Sequence, residues 1–495
     1  MKRLALLLPL LALAVAPARA EDPATRSPVA GKSHAESAEA ATNGVKSPIA
    51  MRVVMASRTP GERGKDLAYY GSAGGDATVM RALRWLKTVQ CEDGSWPGHP
   101  VASTALALWC YFDHNETPLD ADEPEFARTT FRGLRFLAGD LDPETGLFRS
   151  ARGEPLAQPL GALALAMGYE TTFSVLHEVS LRPLLRDAAE SALRPILAGQ
   201  RPDGAWNVDP LDPSPDGRGD PRATVWCTLA LRGGRIWTHD FASTPEWQRR
   251  AGDALAAFLD PAADAALRPD GAATPVTAAA VVGLQRLGRH NDPAARRGID
   301  ALVGCVYSWE AWDGPQPWGG SGAPVRDWAF VTSARFVCGG RTFGEWNKQF
   351  FPEACGRQLV VPADESGYRD LSGKLRPIGW WDSPSETEAE LCSGGPVLPC
   401  KRWRGGECLD GETTLGDRVR DTCFEALSLM TYYAFLPSRV LDEHEALSSP
   451  VAVPHPKTNN ATVRVQIRRK SPATNAPAAP ASHAPSADGA KEPVP

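Results

Sequence analysis

General acid–base and metal chemistry both take acids held close to one another, so clustered acids are the first feature to look for. No two Asp residues are adjacent anywhere in this sequence. The nearest cluster, Asp120-Ala121-Asp122-Glu123, runs into Pro124 and reads as a solvated linker. Asp140-Leu141-Asp142-Pro143-Glu144 begins like a calcium loop but carries Thr145 where the tight turn needs Gly. No Gly-rich phosphate loop, nucleophile elbow or His-Glu-x-x-His helix is present. The sequence therefore assigns no catalytic residue, no metal and no cofactor. What it offers is a set of aromatic and charged residues able to line a pocket: His99, Arg222, Trp226, Trp318, Arg326, Asp327, Trp328, Trp381, Asp382 and Asp421. Indole rings with a few charges suit carbohydrate or flat apolar ligands.

The elements that must position them repeat. Between residues 75 and 440 one unit recurs six times: an amphipathic helix, a turn with Asp-Gly or a Gly-aromatic step, then a more apolar helix. The first copy is the clearest. Residues 79–90 place Val79, Met80, Leu83 and Leu86 on one face, with Arg81, Arg84 and Lys87 opposite. CEDGSW follows, and residues 102–112 are then apolar nearly all round, as a helix buried on most sides would be. The later copies predict helices over 126–139 and 160–169, 184–200 and 222–237, 247–259 and 276–288, 294–309 and 327–340, and 343–360 and 419–437. Such a hairpin cannot bury itself alone, and no polar capping repeat ends the array. The expected fold is all-α, an α/α toroid of six helical hairpins with inner and outer helix rings. The candidate pocket residues would gather at a mouth formed by the starts of the inner helices and nearby turns.

Two stretches carry a family likeness. Gln90–Trp96 (QCEDGSW) and Gln200–Trp206 (QRPDGAW) resemble the Gln-Trp repeats of terpenoid cyclases and protein prenyltransferases. ALRWLKTVQCEDGSW, GGRTFGEWNKQFF and TYYAFLP resemble the exported bacterial prenyltransferase and squalene oxidase repeat proteins. The likeness covers most of residues 75–440. It implies that Gln90, Asp93, Gly94, Trp96, Gln200, Asp203, Gly204 and Trp206 are structural, with the Gln and Trp tying neighbouring hairpins together. It also implies chemistry that this chain lacks. The Asp-rich acid motif of the proton-initiated cyclases and the Asp-Asp-x-x-Asp magnesium site are both missing. Asp421-Thr422-Cys423 looks like the Asp-x-Cys zinc pair of prenyltransferases. The later histidines, His444, His455 and His483, fall at the edge of the array or beyond it, and a catalytic zinc needs three placed ligands.

The ends and one insertion complete the reading. Residues 1–20 have the charge, apolar run and Ala18-Arg19-Ala20 site of a secretory signal, so the protein is expected to be exported, periplasmic or secreted, with no transmembrane segment once the signal is cleaved. Residues 21–74 and 449–495 read as disordered, because they are too poor in large apolar side chains to offset ordering entropy. The net charge of −6 gives no strong field toward nucleic acid. The 383–417 insertion breaks the repeat and is a natural binding loop, with Cys392, Cys400 and Cys408 as disulfide candidates. Two functions stand at this point. One is a non-catalytic scaffold holding a small molecule, glycan or extracellular protein. The other is a cavity enzyme, either a polysaccharide lyase or hydrolase or a diverged isoprenoid cyclase.

Overall fold

The computed structural model describes residues 73–431, apart from 115, 117, 119–124, 152, 172–180, 235–244, 308, 310–324, 383–393 and 405–406. The signal segment, both tails, Trp318 and Cys392 lie outside the described residues. Everything below belongs to one compact unit within Met1–Pro454.

Among the described residues, six outer helices alternate with six inner ones. The outer set is α1 (Ala73–Thr88), α3 (Ala127–Asp140), α5 (Leu181–Ala198), α7 (Pro245–Phe258), α9 (Pro293–Ala301) and α11 (Gly340–Gly356). The inner set is α2 (Pro100–Asp113), α4 (Ala157–Thr171), α6 (Pro221–Gly234), α8 (Thr277–Arg286), α10 (Val325–Cys338) and α13 (Leu415–Leu429). Each inner helix packs on the next, α2 on α4 and onward to α13, and α13 packs back on α2. The ring is closed. An apolar helix such as α2, buried from Val101 to Leu108, is thereby enclosed by neighbours on both sides and by the outer layer behind.

The hairpin turns are tied by repeated side chains. Gln90 donates from its amide to the carbonyls of Gly94 (2.9 Å) and Thr129 (3.0 Å), joining its own turn to the next outer helix. Gln200 does the same to Gly204 (3.0 Å) and Trp247 (3.0 Å). Trp96 and Trp206 bury their rings and donate from the indole to Leu86 O (2.8 Å) and Ile196 O (2.7 Å), satisfying carbonyls at the ends of outer helices. Asp93 and Asp203 accept from the backbone N–H groups of Ser95 and Ala205, closing the turns.

Two features depart from the expectation. α9 ends at Ala301 instead of running to 309. Gly304 follows, and the chain then turns Tyr307 and Trp309 inward, both 2 % exposed, into an aromatic cluster with Trp328 and Trp346. The insertion is not all loop: β3 (Val397–Arg404) and β4 (Glu407–Thr414) form an antiparallel hairpin. A smaller pair, β1 (Leu359–Val361) and β2 (Ile378–Trp380), flanks the short helix α12 (Ala363–Ser366). In the β3–β4 register Cys400 lies opposite Gly411 and Cys408 opposite Trp403. Three residues of strand separate the two cysteine positions, about 10 Å, which is beyond the span of a disulfide.

Candidate functional site

One side-chain oxygen recurs near the start of the inner helices and sets a common frame. Thr104, Gln158, Thr224, Thr277 and Thr422 accept the backbone N–H of Trp96, Phe148, Trp206, Thr274 and Trp381, at 3.1, 3.1, 3.0, 2.7 and 3.2 Å. Counted from that cap, an i, i+4 pair at the same two positions of five helices faces the bore, and α10 contributes a pair at the same spacing. These pairs line a central cavity with roughly 760 Å³ of space between atoms, counting the part open to solvent. About 70 Å³ of it is open to the centres of water-sized molecules.

The cavity is layered. Its wall is Trp109, Leu163, Leu229, Val282, Ala329 and Leu427, one from each inner helix. One turn further on, the rim is Asp113, Met167, Gly233, Arg286, Ser333 and Thr431. Below the wall, Trp226 meets Trp109 edge-on at 5.8 Å and Phe330 at 5.5 Å. Those three rings come from alternate helices of the ring, so Trp226 reaches into the bore and, with Phe424, floors the cavity. Arg232 completes the upper part: its Nε donates to the Arg286 carbonyl at 3.1 Å, clamping the end of α6 to the end of α8.

The cavity thus belongs to the C-terminal halves of the inner helices, and the expected mouth at their starts is corrected. The starts of α10 and α13 hold buried ion pairs. Arg418 grips Asp382 through two bonds (2.6 and 3.0 Å), Arg420 binds Asp417 and Asp421 (both 2.9 Å), and Arg326 pairs with Asp327 (3.4 Å). Of the described residues singled out from sequence, Trp226 lines the cavity and the others do not. Trp328 is core, 4.5 Å from Tyr307. Trp381 is a turn indole like Trp96, donating to Ala354 O at 2.8 Å. His99 sits at the N-cap of α2 and Arg222 in the first turn of α6, both half-buried. Asp421-Thr422-Cys423 divides among an ion pair, a backbone cap and a buried thiol, and no metal-holding cluster of three or more His, Cys, Asp or Glu occurs among the described residues.

Two buried polar groups lie near the bore without lining it. His114, directly after α2, binds Glu116 through Nδ1 (2.8 Å) and Asp76 through Nε2 (3.2 Å), so carboxylates engage both ring nitrogens. Glu425 on α13 accepts from the Tyr307 hydroxyl at 2.9 Å. Burial pushes its carboxyl up to about 8, with Asp421 and Glu353 adding to the rise.

The residues missed from sequence are those at the ends of the inner helices, Asp113 and Arg286 above all. A signal existed: Asp113 closes an otherwise apolar helix, and acids do not normally end such runs.

Comparison with known proteins yields little. No family model matches the chain, and no curated protein matches it. Among solved structures, one similar chain is an inactive variant of an alpha-1,6-mannanase of Salegentibacter sp. HEL1_6 in complex with alpha-1,6-mannotriose, with a TM-score of 0.43 and 10 % identity, covering 73 % of this chain and 99 % of that one.

Proposed function

We propose that this protein is an exported ligand-binding ring that takes an apolar molecule, polar at one end, into its central cavity. The observation that carries this reading is the layering of the cavity: aromatic floor, aliphatic wall, and polar groups gathered at the rim. An apolar body sinking between Trp109, Leu229 and Phe330 leaves its polar end level with Asp113 and Arg286, which is the arrangement small-molecule sites favour. A glycan would present hydroxyls to a wall whose side chains are aliphatic apart from Trp109. The sequence likeness to terpenoid-cyclase and prenyltransferase repeats supports the same kind of ligand, and residues 1–20 support export.

The test is to extract small molecules from the purified protein and from Ala329→Phe, which fills the wall, and to compare the two by mass spectrometry. A defined amphiphile carried by the natural protein and absent from the variant supports the reading. Equal recovery from both, or nothing above the variant's background, refutes it.

One observation favours a second reading, catalysis in the cavity. Asp113 is a carboxyl on the cavity rim at 1 % exposure, where it can meet a bound molecule away from bulk water. An enzyme would turn its extracted ligand over, and Asp113→Asn would stop turnover while leaving the ligand bound.

A further inference from the structure

The cavity is roomiest against α10. Of the six wall side chains Ala329 is the smallest, and the larger Leu163 and Met167 belong to α4, three places away in either direction round the ring. An apolar body therefore has space to lie along α10. One turn further on, about 6 Å along the helix, it meets Ser333 on the rim.

Ser333 differs from the hydroxyls around it. Thr332 donates to the Trp328 carbonyl (2.8 Å), Ser428 to Phe424 (2.8 Å) and Thr431 to Leu427 (3.2 Å), each four residues back in its own helix. Ser333 follows Thr332 directly on α10 but makes no hydrogen bond with any described residue, and it lines the cavity half-buried. Ser103 and Thr228 also lack a partner, but both are fully buried and neither lines the cavity. A rim hydroxyl with donor and acceptor both unused is a ready point for one hydrogen bond to a bound molecule.

The charged groups that share the cavity do not offer the same. Asp113, Arg232 and Arg286 are each engaged within the chain. A charged head placed among them would give up its water for groups that already have partners, which is costly. A hydroxyl or a carbonyl gives up less and needs only one bond.

Resting on the binding reading above, we propose that Ser333 selects the ligand, through a hydrogen bond to an uncharged oxygen, hydroxyl or carbonyl, at the ligand's polar end. The apolar body then lies along Ala329 with its far end on Trp226.

Four probes of one shape test this on the full protein: 4-phenylbutan-1-ol, 4-phenylbutanoic acid, 4-phenylbutylamine and pentylbenzene. Binding is read at neutral pH by calorimetry and by quenching of tryptophan fluorescence, since Trp109 and Trp226 line the cavity. The alcohol is expected to bind tighter than the acid or the amine. Ser333→Ala should weaken the alcohol about three- to tenfold, the worth of one hydrogen bond, and leave pentylbenzene unchanged. A variant that spares the alcohol, or weakens alcohol and pentylbenzene alike, overturns the proposal while leaving the binding reading intact. The acid or the amine binding as tightly as the alcohol does the same, and so does binding of pentylbenzene alone. All four failing to bind overturns the binding reading itself. The ranking on the unaltered protein decides the matter even where the variant does not fold.

Discussion

Glu425 is fully buried, with one carboxyl oxygen held by Tyr307 and the other without a hydrogen-bond partner. A charged carboxylate there would be costly, so the folded chain keeps the proton up to about pH 8, against an ordinary value of 4.5. Between those values the folded state binds one proton more than the unfolded state. Stability is therefore greatest below pH 4.5 and falls as pH rises to 8, by about 1.4 kcal/mol per unit from this one group. Glu425→Gln keeps an acceptor for the Tyr307 hydroxyl and removes the titration. Urea unfolding at pH 5.5 and pH 7.5 should show the variant gaining roughly 2–3 kcal/mol relative to the natural protein at the higher pH. An unchanged difference at the two pH values would mean that the carboxyl is ionised in the fold.

At the scale of the element, the turns hold the hairpins in register, and Gly204 shows how. Its φ is +91°, and a Cβ there would sit 2.2 Å from the Arg250 carbonyl of the next outer helix. Gly217 also has a positive φ, +67°, but nothing lies within 4 Å of its Cβ position. Gly217→Ala should cost about 1–2 kcal/mol, the backbone penalty alone. Gly204→Ala should add about 1–3 kcal/mol for forcing the hairpins apart. Gln200→Ala, which deletes a bond to Gly204 within the turn and bonds to Trp247 and from Arg250 on α7, should cost about 1–3 kcal/mol. Chemical denaturation of the three variants side by side checks that order, and equal costs for the two glycines would sink it. The helices and turns were legible because each copy obeys one hydrophobic period. The β3–β4 hairpin was hidden by its Gly and charged residues, which read as loop. The early stop of α9 was hidden because Tyr307 and Trp309 continue the apolar run while leaving the helix. The cavity was harder still. Nothing in the sequence of α2 alone says which face looks into the bore. The face emerges only when the helices are aligned on the Thr and Gln caps, and those are hydrogen bonds rather than a sequence motif.

For the whole molecule, the decisive contact is α13 against α2, which joins the last inner helix to the first across more than three hundred residues of chain. Cys110 makes the seam visible, its thiol lying 3.3 Å from the Cys423 carbonyl with both side chains fully buried. In an open array each hairpin rests on its neighbours alone, and removing the last leaves the others nearly as stable as before. In a closed ring the same removal uncovers α2 and α10 together and opens the cavity along its length. A chain ending at Gly339, which removes α11 and everything after it, separates the two cases. The ring predicts that this truncation loses its single cooperative unfolding transition and most of its helical circular dichroism, and exposes enough apolar surface to bind hydrophobic dyes. An open array would keep about five-sixths of the helical signal and a cooperative melt. Retention of that signal would remove the ring, and with it the enclosed cavity on which ligand binding depends.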